Sequence, residues 1–134
     1  MRGRGCTLAV LGLMMVPLAA SAQLYSDLPS GQSVTLTEIL MDENPGALWT
    51  RFRFVAPDIA RDGGSVSSEL AALDMDVLCN DVAAPYLIQE AIDPERVVIS
   101  LSDRAVEFGA PDPAATQFFE TYRLEDARCI WEEF

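Results

Sequence analysis

The sequence predicts an α+β fold: an antiparallel sheet of about five strands in the order β-β-α-β-β-β, with one helix packed on a face and one disulfide stapling the two. Three observations predict it. Residues 33–41 and 48–55 alternate apolar and polar side chains, and 96–102 is a β-branched run, as half-buried strands require. Only the stretch after Ser67 repeats its apolar residues at helical spacing. Turn formers rather than long linkers separate the strands, which favours antiparallel neighbours.

The first 22 residues do not belong to this fold. Arg2 and Arg4 make a positive start, Leu8 to Leu18 is apolar apart from Gly12 and Pro17, and Ala20-Ser21-Ala22 follows. This is the layout of a secretory signal peptide. The run is shorter than the roughly 20 residues a membrane span needs, and Cys6 precedes it, whereas a lipid-attachment cysteine would follow. The expected product is a soluble chain starting at Gln23, periplasmic or secreted after cleavage near Ala22/Gln23, with no membrane insertion. Removing 22 of 134 residues leaves 112, a single α+β domain over 23–134.

Gln23 to Gln32 (QLYSDLPSGQ) is rich in turn formers and reads as a loosely ordered arm. Ser33 to Met41 places Val34, Leu36 and Leu40 on one side of a strand. After the turn Asp42-Glu43-Asn44-Pro45-Gly46, Leu48 to Val55 sets Phe52 and Phe54 against Arg51 and Arg53, and the two strands pair as a hairpin. Asp62-Gly63-Gly64 closes a loop before Ser67 or Ser68 caps the helix. Its apolar face is expected at Leu70, Leu73 and Val77, widened by Met75, Leu78 and Val82, with Glu69, Asp74 and Asp81 polar. Pro85 ends or kinks it. Arg96 to Ser102 is the third strand, and Gln117–Leu124 and Cys129–Phe134 are the last two, joined by a turn at 125–127.

Cys79 and Cys129 are the only cysteines beyond the leader. A metal site needs more ligands at closer spacing, and a catalytic thiol needs a base, for which histidine is missing. Two cysteines in a small exported domain pair. The bond joins the helix to the last strand.

Charge narrows the partners. Nine basic residues face 21 acidic ones, a net charge of −12; without Arg2 and Arg4, seven arginines face the same 21, or −14. There is no lysine beyond the leader and no histidine anywhere. Such a field repels nucleic acid and anionic surfaces and favours either solubility, as a general acidic bias of an exported protein, or basic partners.

The runs VVISLSDR at 97–104 and TQFFETYRLEDARCIWEEF at 116–134, preceded by DMDVLC at 74–79, resemble an uncharacterised family of small exported alphaproteobacterial proteins, a domain of unknown function. The resemblance covers about the C-terminal half. It implies export and a shared fold, and no activity.

The missing side chains exclude Ser-His and Ser-Lys nucleophiles and a Schiff-base amine, so no catalytic residue and no cofactor is expected. If the chain were a hydrolase, Glu120/Glu132 or Asp103/Glu107 would be its carboxylate pairs. Asp74-Met75-Asp76 opens like a calcium loop, but Leu78, Cys79 and Pro85 break the pattern, and no metal ligand set is assigned. A calcium-responsive module would have to use irregular pairs such as Asp58/Asp62 or Asp42/Glu43. The remaining constellation is a polar sheet face containing Arg51, Arg53, Glu120, Tyr122 and Trp131. It serves either as cross-strand ion pairs or as an interaction face for a partner. The functional expectation is a non-catalytic binding module whose partner is an unknown, basic protein, with its oligomeric state open.

Overall fold

The computed structural model describes residues 22–43 and 46–133. Residues 1–21, on which the expected signal peptide falls, Asn44 and Pro45, and Phe134 lie outside the described residues. The strands are β1 (Gln23–Tyr25), β2 (Val34–Asp42), β3 (Trp49–Val55), β4 (Arg96–Ser102), β5 (Gln117–Glu125) and β6 (Arg128–Glu132). Between β3 and β4 run a 3-10 turn (Pro57–Ile59), helix α1 (Ser68–Leu78), a π-helical turn (Cys79–Ala83) and helix α2 (Ala84–Gln89).

The six strands form one sheet in sequence order. The fold is α+β, but the sheet is mixed rather than antiparallel: β3 and β4 run parallel, while every other pair is antiparallel. The cause is the connection. A tight turn reverses a chain, whereas about 40 residues carrying the helices return it to the starting edge and set the next strand parallel. The hairpin expected between 33–41 and 48–55 is present as β2–β3, and β5–β6 closes through Asp126 and Ala127, both at positive φ. Two such residues make the turn that matches strand twist.

Gln23 to Gln32 is not a loose arm. Its first three residues form the edge strand β1 on β2, and Leu28 and Gln32 are buried. What holds the segment is Asp74 on α1. That buried carboxylate accepts the Ser30 amide at 2.9 Å, the Ser30 hydroxyl at 2.5 Å and the Gln32 side-chain amide at 2.7 Å.

The same carboxylate explains why the helix face differs from expectation. Ser67 caps α1, accepting the Leu70 amide. The buried stripe is Ala71, Asp74, Met75 and Leu78, spaced i, i+3, i+4, i+7. Leu70 and Leu73 lie one step round the helix and remain 40% and 51% exposed. A hydrophobic pattern cannot place an acid in the inward stripe, yet here it belongs there because three donors await it. Pro85 neither ends nor breaks the helix: the preceding π turn, with the Ala84 amide bonded to the Cys79 carbonyl, widens the ladder where proline has no N–H to give.

The core lies between the helices and one face of the sheet, where Phe52, Phe54, Val97, Ile99, Leu101 and Tyr122 meet Met75, Leu78, Ala83 and Leu87. Cys79 and Cys129 are disulfide-bonded, with Cα atoms 6.1 Å apart. Asn80 adds a bond from its side-chain oxygen to the Cys129 amide at 2.9 Å. The segment Asp74–Asn80 therefore clamps the helix to the arm, to β5 and to β6.

The β5 clamp is Tyr122, whose hydroxyl donates to Asp76 at 2.6 Å. Burial, then the bond to Asp76, raises its ionisation well above the ordinary value of 10.0. The folded state thus favours the neutral phenol. The resulting stability is complete below pH 10, where an unfolded tyrosine keeps its proton, and falls above it by about 1.4 kcal/mol per pH unit. Alkaline titration should show unfolding cooperative with Tyr122 ionisation. Tyr122→Phe should lose about 1 kcal/mol at neutral pH, since exposed Asp76 can turn to water, and should flatten the alkaline slope by one proton.

Candidate functional site

Alternation along a strand sends every second side chain away from the helices. On β3 these are Trp49, Arg51, Arg53 and Val55. Residues directly opposite in the ladders share their side: Glu38, Leu40 and Asp42 on β2, Arg96, Val98 and Ser100 on β4. Continuing outward, Phe119, Thr121 and Arg123 on β5 and Ile130 and Glu132 on β6 complete the open face. No helix covers it. Arg51, Arg53, Arg96, Arg123 and Arg128 all fall on it by register, five of the seven arginines among the described residues.

The arginines are not equivalent. Both terminal nitrogens of Arg53 are engaged, one by Glu38 at 2.6 Å and the other by the Val106 carbonyl at 2.7 Å. Glu132 bridges Arg96 at 2.9 Å and Arg123 at 3.0 Å, tying three strands together. Arg51 sits 3.8 Å from Asp42, too far for a hydrogen bond. Its guanidinium instead lies against the rings of Trp49 and Phe108, at 5.7 and 5.4 Å, in cation–π range.

Phe108 belongs to a loop, residues 103–116, that folds over part of this face. Its ends are clasped: the Asp103 amide donates to the Thr116 carbonyl at 3.0 Å, and the Thr116 amide to the Asp103 carboxylate at 2.8 Å. Arg104 beside Asp103, and then the Thr116 amide, hold that carboxyl below its ordinary range. Beneath the loop are two adjoining clefts of about 400 and 320 Å³, which share Arg53, Ser100, Val106, Glu107, Gln117 and Phe119.

The five residues proposed from sequence as one face are divided between two. Arg51 and Arg53 are on the open face. Glu120 and Tyr122 are on the helix side, because β5 directs Phe118, Glu120, Tyr122 and Leu124 towards the core side. Tyr122 is buried. Trp131, opposite Tyr122, shares the side of the disulfide, remains 53% exposed and donates its indole N–H to Glu120. Cross-strand ion pairs are present on the open face: Arg53 takes Glu38, and Glu132 takes Arg96 and Arg123.

The carboxylate pair Glu120/Glu132 does not converge, since its members face opposite sides of the sheet. Among the described residues no three His, Cys, Asp or Glu side chains are grouped to hold a metal ion. Phe108 and Phe119, 50% and 58% exposed on the open side, escaped the sequence reading. Two adjacent phenylalanines in a strand, at 118 and 119, were the available signal, because one of them must face away from the core.

Neither the curated proteins nor the solved structures provide a match to this chain. A family model does match, over residues 11–134 and therefore over nearly all of the chain. The protein belongs to the Family of unknown function (DUF6497).

Proposed function

We propose that this protein is an exported, non-catalytic binding module whose working surface is the open face of the sheet. The observation that carries the reading is the array of Arg51, Arg53, Trp49, Phe108 and Phe119 beneath and beside the 103–116 loop. Arginine and aromatic side chains are the groups that anchor protein interfaces. The surrounding acids suit a basic partner, steering its approach without adding much to affinity. Two features support export: a disulfide, and the absence among the described residues of any helix long and apolar enough to cross a membrane. The reading places the mature chain in the periplasm or outside the cell after cleavage near Ala22/Gln23. By the resemblance of its C-terminal half it assigns an alphaproteobacterial source.

The test is retention of a partner from envelope extract on immobilised mature protein at low salt. A specific basic protein is expected to bind and to be released as salt rises, because exposed charges are screened. Phe119→Asp, on the exposed surface, should cut retention at least tenfold, the loss of one interface anchor, while leaving the melting temperature within about 2 °C. Equal retention by the variant would remove the open face from the reading.

A further inference from the structure

We infer that the cleft between the open face and residues 106–111 is a site for a small ligand bearing one carboxylate on an apolar body. Its volume of about 320 Å³ lies at the lower end of small-molecule sites, which are apolar pockets with a few placed polar groups. Here the walls are Val98, Phe108, Pro111 and Phe119, and the polar groups include Arg51 and Ser100.

Arg51 supplies the recognition. Among the described residues its Nε is buried without a hydrogen-bond partner, and the neighbouring Asp42 carboxylate stands at 3.8 Å. A buried donor without an acceptor is costly and is normally satisfied. The guanidinium carbon lies over the rings of Trp49 and Phe108, contacts that take none of its N–H donors, and the acceptor that suits such a fork is planar and bidentate, as a carboxylate is. Arg53 offers no second fork, since Glu38 and the Val106 carbonyl engage it.

The stoichiometry of charge follows. One available guanidinium takes one anionic group, while the chain's net charge of −12 opposes anything more highly charged. The half-exposed rings of Phe108 and Phe119 give the apolar body its contact. Such a ligand is either a free aromatic or aliphatic acid or the C-terminal residue of a peptide, which present the same group. This goes beyond the protein-binding reading, and its test uses no partner.

The experiment is titration of ¹⁵N-labelled mature protein with 2-naphthoate and 2-naphthamide, with N-acetylphenylalanine and its amide, and with inorganic triphosphate. The acid 2-naphthoate should bind with Kd on the order of 10⁻⁴ M, shifting amides in β3, β5 and 106–111. Its amide should bind at least about tenfold more weakly, for want of the charge-assisted pair. Arg51→Gln should bring acid and amide to the same affinity, and Phe119→Ala should weaken both. Should Arg51→Gln lower the melting temperature, the acid–amide comparison on unaltered protein decides alone. Binding of N-acetylphenylalanine as tightly as 2-naphthoate supports the site and assigns a peptide C-terminus, whereas preference for 2-naphthoate supports it and assigns a free acid. Equal binding of acid and amide, tighter binding of triphosphate, no shift at millimolar probe, or shifts confined to the groove lined by Tyr25, Ile39, Val82 and Tyr86 would overturn it.

Discussion

Replacing both Cys79 and Cys129 by alanine is expected to lower stability by about 4 kcal/mol, the chain-entropy value for a loop of this length. The bond closes 50 positions of sequence, so its main effect is to restrict the unfolded chain. In the folded state it fastens β6, an edge strand also held by its ladder to β5, the Asn80 bond to the Cys129 amide and the Glu132–Arg96 ion pair. For a domain of this size the loss corresponds to roughly 10–20 °C in melting temperature. Cys79 is fully buried, so the small cavity left there adds to the effect rather than offsetting it. Urea unfolding of the double variant beside the oxidised wild type measures the difference. A loss below about 1 kcal/mol would mean that the unfolded chain is already confined by other structure.

Asp74→Ala is expected to be nearly as damaging, by about 3 kcal/mol, since a stranded donor costs roughly 1–3 kcal/mol. Deletion strands the Ser30 amide, the Ser30 hydroxyl and the Gln32 side-chain amide, all of which the carboxylate now accepts. Asp74→Asn should lose about half as much. It keeps one oxygen for Ser30, and its new N–H₂ can meet Gln32 Oε1, which has no partner among the described residues, once the Gln32 amide rotates. Ser30→Ala combined with Asp74→Ala should be distinctly less than additive, because both changes break the same bonds. Hydrogen exchange locates the damage: protection should fall first at residues 26–32, which the carboxylate ties to α1. Equal stability of Asp74→Ala and wild type would show that the cluster contributes nothing.

What could be read from the amino acids, and what could not, divides along physical lines. The strand at 96–102 was legible because RVVISLS is β-branched and bounded by turn formers, and the structure gives it the same limits. The cysteine bond was legible by counting. The true helix face was not, because Asp74 occupies it and only its distant partners Ser30 and Gln32 justify an acid there. The parallel join of β3 to β4 was hidden for a similar reason: ladder direction depends on the path between strands, not on their composition. The candidate face shows the limit most clearly. Alternation orders residues within β3 or within β5, so Arg51 and Arg53 were rightly put together. It carries no phase across a long connection, and Glu120, Tyr122 and Trp131 fell on the other side. Phe108 reaches Arg51 from a loop, which has no periodicity to read.

The parallel join also governs the order of assembly. β1, β2 and β3 form one meander and β4, β5 and β6 another, each built from neighbours in sequence that close quickly. Matching Phe52 to Ile99 and Phe54 to Leu101 must wait for a much larger excursion of chain, which makes this central seam the slow, rate-setting event of folding. Asp74 grips the first meander and Cys79 the second, so the helix between them acts as the splint that brings the halves into register.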